Sequence, residues 1–106
     1  NKTKEFSYAV LDVGVAYKED TDHVSAVLRD IGTELEEDSD FNAHILSSLE
    51  ILGVSEFGDS AVMIKIRIKT RPLKQWMIGR ELRRRIKNAF DPDGILYPGK
   101  IFPDDE

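Results

Sequence analysis

The chain has 106 residues, 41% of them hydrophobic and 33% charged, which is enough for one two-layer core and too little for two. Its net charge of −5 disfavours a general nucleic-acid role. The absence of cysteine rules out disulfides, zinc–thiolate sites and thiol nucleophiles, and no apolar run approaches the ~20 residues of a membrane span.

Residues 1–6 read as a polar linker, and a chain that starts at Asn1 without an initiator Met reads as an excised piece of a larger protein. From Ser7 to Tyr17 the residues alternate, with Ala9, Leu11, Val13 and Val15 on one side, and this predicts a first strand. Asp20 or Thr21 is placed to cap a helix. The stripe Val24, Val27, Leu28, Ile31 and Leu35 gives that helix one apolar face. A polar connection over 38–44 leads to a second strand over 45–56, with Leu49, Ile51 and Gly53 on one face and Leu52 and Val54 on the other. A strand apolar on both faces suggests an outer partner.

Gly58-Asp59-Ser60 carries hairpin chemistry. The third strand is the most regular: Val62, Ile64, Ile66 and Ile68 face inward, and Lys65, Arg67 and Lys69 face outward. Arg71-Pro72 stops the ladder, because proline has no N–H to donate and holds its predecessor extended. The period then changes to that of a helix headed by Trp76. Ile78, Leu82, Ile86 and Phe90 line its core face with Ala89 alongside, and Arg80, Arg83, Arg84 and Lys87 form the opposite stripe. Asp91-Pro92-Asp93-Gly94 is a turn before a short strand near Ile95 to Tyr97, which Pro98-Gly99 ends.

The order is β-α-β-β-α-β, an α+β, ferredoxin-like two-layer sandwich with an antiparallel sheet and two helices on one face. The domain is expected over 7–98, with 99–106 as a C-terminal tail.

No catalytic, cofactor-binding or metal-binding set emerges. His23 and His44 lack a second ligand at metal spacing, and the acidic run from Glu34 to Asp40 reads as a solvated helix end. The Asp91 turn lacks calcium-loop spacing, no phosphate-binding glycine motif occurs, and Ser25 and Ser60 have no base partner. RNA binding is disfavoured because Val10–Val15 and Val62–Arg67 hold no stacking aromatic. The basic stripes are expected to be solvated and balanced by acids such as Glu81 beside Arg85. Residue chemistry alone points to a small binding or assembly domain, with a ligand-binding or regulatory module as the alternative.

Four segments carry a resemblance to a known family. They are V-L-D-V-G-V-A-Y-K-E-D-T-D at Val10–Asp22, L-E-I-L-G-V-S-E-F-G-D-S-A-V at Leu49–Val62, I-R-I-K-T-R-P at Ile66–Pro72, and Q-W-M-I-G-R-E-L-R-R-R-I-K-N-A-F-D at Gln75–Asp91. In order and spacing the chain resembles the C-terminal cytoplasmic domain of the small-conductance mechanosensitive channel (MscS) family. The resemblance implies a non-enzymatic part of a homo-heptameric channel in a bacterial inner membrane. Such a channel opens under tension and releases ions and small solutes in osmotic downshock. On this resemblance the domain faces the cytoplasm, holds subunits together and filters solutes in a vestibule, with no cofactor and no nucleic-acid partner. The residues expected at contacts or lining the vestibule are Leu52, Val54, Lys65, Arg67, Trp76, Arg80 and Arg84. The ending departs from the family's Gly-Ile-x-Ile-Pro-x-Pro-like pattern. Over about a dozen residues, Phe90 to Phe102 is similar instead to the close of FAD-linked oxidases of the glycolate-oxidase type, and nothing before it fits a flavoprotein.

Overall fold

The computed structural model describes residues 5–16, 20–57, 61–90 and 96–101. Four strands and two long helices follow one another as β1 (Ser7–Ala16), α1 (Thr21–Glu37), β2 (Glu50–Phe57), β3 (Ala61–Thr70), α2 (Gln75–Phe90) and β4 (Leu96–Ile101). The strands form one antiparallel sheet in the order β2-β3-β1-β4, which is the ferredoxin-like arrangement expected from the sequence.

The centre of the sheet is the β1–β3 ladder, which runs without a break from Ser7↔Thr70 to Ala16↔Ala61. Its regular register brings Ala9, Leu11, Val13 and Val15 beside Ile68, Ile66, Ile64 and Val62 on one face, and all eight are buried. Against that face α1 sets Val24, Leu28, Ile31 and Leu35, and α2 sets Ile78, Leu82, Ile86 and Phe90. These sixteen side chains form one continuous apolar core. Ala89, expected beside the α2 stripe, is exposed; Gln75 and Gly79 are buried in its place.

Asp20 caps α1, its carboxylate accepting hydrogen bonds from the backbone N–H groups of Asp22 and His23. Gly32 lets α1 approach the segment before β2: a Cβ there would lie 2.6 Å from the Cβ of Leu49. Pro72 ends β3 as expected. The Lys74 N–H donates to the Arg71 carbonyl at 3.1 Å, and between them Leu73 adopts φ 69°. That is the third position of a type II turn, where positive φ is obligatory and glycine is the usual residue.

Two strand expectations are corrected. Residues 45–49 are not strand: Asn42–His44 form a 3₁₀ turn, Ile45 makes an isolated bridge to Thr70, and β2 begins only at Glu50. Within β2 the register shifts between Ile51 and Gly53, so Leu52 is the extra residue of a β-bulge. The bulge reverses the alternation. Gly53 pairs with Lys65 on the outer face, and Val54 pairs with Ile64 on the helix-bearing face, the opposite of what strict alternation predicts. The last strand likewise does not stop at Pro98-Gly99. It continues to Ile101 through an irregularity against β1, and an edge strand tolerates that proline because its N–H side need not pair. The hairpin residues 58–60, the turn at 91–94 and the tail from Phe102 lie outside the described residues.

Candidate functional site

The candidate residues lie outside the buried core. The fold distributes them over three separate surfaces.

The first is the outer face of the sheet, which carries no helix. The β1–β3 register places Tyr8 beside Lys69, Val10 beside Arg67 and Asp12 beside Lys65. The Arg67 guanidinium lies 4.0 Å above the Tyr8 ring centre and the Lys69 ammonium 4.2 Å above that of Phe6. The two rings meet edge to face at 5.6 Å, and the Arg67 Nε donates to Glu50 across the β2–β3 ladder. Lys65 is exposed. Arg67 is therefore engaged with an aromatic and a carboxylate, and the ring faces of Phe6 and Tyr8 are occupied by cations. Sequence reading missed this aromatic pair, although Tyr8 and Lys69 share the outward parity of their strands.

The second surface is the outer edge of β2, which among the described residues pairs only with β3. Leu52 at the bulge and Val54 remain 46% and 51% exposed. Although Val54 points to the helix-bearing face, it lies outside the packed core.

The third is the solvent face of α2. Trp76 is 46% exposed at its start. Arg80, Arg83, Arg84 and Lys87, at spacings of three and four, line one open depression of about 420 Å³. The acids supply this stripe unevenly. Glu81 accepts two bonds from Arg84, at 3.0 and 2.7 Å, and one from Arg85 at 2.7 Å. Arg85 also reaches the carboxylate of Asp38, the residue that closes α1, at 2.6 Å. Through Arg85 the two helices are tied at their seam. The bonds from Arg84, followed by those from Arg85, hold the Glu81 carboxyl down at about 2 against desolvation. Asp38 is also lowered, first by the Asp40 N–H and then by Arg85. The expected partnership of Glu81 with Arg85 is present. Glu81 does not serve the rest of the stripe: Arg80, Arg83 and Lys87 have no carboxylate in ion-pairing range among the described residues.

Of the seven candidate residues, then, the fold brings Arg80 and Arg84 together, with Trp76 one turn before them. Lys65 and Arg67 lie on the other side of the sheet, and Leu52 and Val54 lie at its β2 edge. Among the described residues no group of three His, Asp or Glu side chains is arranged to hold a metal, and no helix is long and apolar enough to cross a membrane.

Comparison with known proteins gives a consistent result. A family model described as "Mechanosensitive ion channel MscS, C-terminal" matches residues 9–96. The chain is 30% identical over 98 residues to a small-conductance mechanosensitive channel of Caldanaerobacter subterraneus subsp. tengcongensis, covering 92% of this chain and 34% of that protein. It is 26% identical over 102 residues to the moderate conductance mechanosensitive channel YbiO of Escherichia coli K12, covering 96% of this chain and 14% of the relative. The chain thus spans about a third of the length of the first of these relatives and less of the second.

Proposed function

The chain belongs to the family of the mechanosensitive ion channel MscS C-terminal domain, and from that membership we propose that it serves as the cytoplasmic domain of a tension-gated channel subunit. The parent protein sits in a bacterial inner membrane as a homo-heptamer and releases ions and small solutes in osmotic downshock. The domain contributes contacts between subunits and lines a solute-filtering vestibule. It performs no catalysis.

The observation that carries this reading is the family match across residues 9–96, nearly the whole of the folded unit. The surfaces suit the role. Exposed aliphatic residues on an unpaired strand edge are costly in a monomer and are normally covered by a partner. Leu52 and Val54 are assigned to subunit contact, with Trp76 as an amphipathic anchor of the kind enriched at interfaces. Lys65, Arg67, Arg80 and Arg84 are assigned to charged vestibule lining.

Substituting Leu52→Asp with Val54→Asp in the full-length parent tests the assembly role. Both side chains are about half exposed, so folding is expected to change by under about 0.5 kcal/mol. The assembled mass of the detergent-solubilised protein should fall, because each copy places two carboxylates in an apolar contact. An undisturbed assembly would remove the β2 edge from the interface.

A further inference from the structure

The basic stripe that lines the depression on α2 is unevenly compensated among the described residues. The chain carries 20 acidic residues against 15 basic ones, so carboxylates outnumber cations overall. Yet among the described residues Arg80, Arg83 and Lys87 stand together without one, while Glu81, on the same helix, is fully occupied by Arg84 and Arg85. Within the stripe Arg80 and Arg83 are three residues apart, and Arg83 and Lys87 four. Like charges at these spacings repel and weaken a helix. Arg84 borders the same depression, and its guanidinium is held in place by the two bonds it donates to Glu81. Places where a sequence breaks a local rule are expected to be functional or strained sites.

We propose that the face of α2 formed by Arg80, Arg83, Arg84 and Lys87 is a binding site for a compact, multivalent phosphate anion free in solution. Guanidinium groups match phosphate oxygens with paired N–H donors, and Lys87 adds a compact positive charge at the end of the row. A depression of about 420 Å³ accommodates a chain of two or three phosphates. A long polyanion is a poorer fit, because its flanks would run onto a surface of net negative charge. Bound phosphate would relieve the repulsion along the stripe and stiffen α2. The site goes beyond the channel reading and does not depend on it, since binding is measurable on the domain without any pore.

Trp76 is one turn before Arg80 on the same helix and half exposed, so its emission reports on the site. Titration of the chain with inorganic tripolyphosphate at about 50 mM salt should give a saturable change in Trp76 fluorescence. The apparent affinity should weaken about tenfold on going to about 200 mM salt, as screening removes the attraction. Arg83→Gln with Lys87→Gln should weaken binding at least tenfold. The charge-matched pair Arg29→Gln with Lys74→Gln, outside the depression, should leave it within twofold. Glutamine keeps good helix propensity, so the α2 variant should melt no lower than the parent chain in the absence of phosphate. Three results would overturn the site: no saturable response at low salt, equal weakening by both variants, or binding to vesicles of an anionic phospholipid without any response to tripolyphosphate.

Discussion

Single residues show where local chemistry decided the structure and where it left strain. Leu73 takes φ 69° at the third position of a turn and is 80% exposed, so its side chain buries little to offset an unfavourable backbone. Leu73→Gly removes a left-handed penalty of about 1–2 kcal/mol at an unfolded-state cost of about 0.5–1 kcal/mol. A net gain of about 0.5 kcal/mol is expected, visible as a rise of a few degrees in Tm. Leu73→Ala keeps the Cβ and should give no such gain; equal gains would mean that the leucine side chain, not its backbone, is the strained part. Proline at position 72 announced this turn, but no residue preference could have placed a leucine at positive φ.

Glu81 makes the clearest pH prediction at this scale. Its carboxyl is held at about 2 when folded, against 4.5 ordinarily, so the folded chain binds its proton more weakly than the unfolded chain. The stabilisation is complete above about pH 4.5 and is lost as the pH falls towards about 2. Solvent screening of a pair near the surface reduces its worth to about 1 kcal/mol. Glu81→Gln should therefore lower Tm at neutral pH and converge with the parent chain near pH 2. A constant difference at both pH values would assign the loss to packing and not to charge.

At the scale of elements, regular periodicity was readable and its interruptions were not. The alternation of β1 and β3 and the stripes of α1 and α2 named all sixteen core residues, because each element buries one face at its own period. Only Ala89 was misplaced, exposed near the end of α2. β2 was harder. A bulge at Leu52 reverses the facing of every later residue, and its signal is the pairing with β3, which lies in the partner strand and not in β2 itself. The 3₁₀ turn at Asn42–His44 hid in a segment read as polar. There Phe41 packs against the core with the Arg85 guanidinium 5.7 Å from its ring centre. The basic stripe of α2 was legible as a stripe. Its lack of compensation was not, because which cation Glu81 chooses is settled by side-chain geometry across two helical turns and the seam with α1.

For the whole molecule, the sequence led to a channel-family domain, the family match covers residues 9–96, and the chain folds as the α+β unit expected of it. The candidate surfaces lie on three sides of the unit, a distribution that suits a domain contacting several neighbours better than one serving a single cleft. The most direct measurement of the central claim is electrical. The full-length parent protein is expressed in bacteria lacking their own mechanosensitive channels, and membrane patches are stretched by suction. Discrete, tension-activated conductance steps are expected, absent from cells without the protein. A parent that reaches the membrane and assembles there yet passes no tension-activated current would contradict the assignment of this domain to a tension-gated channel.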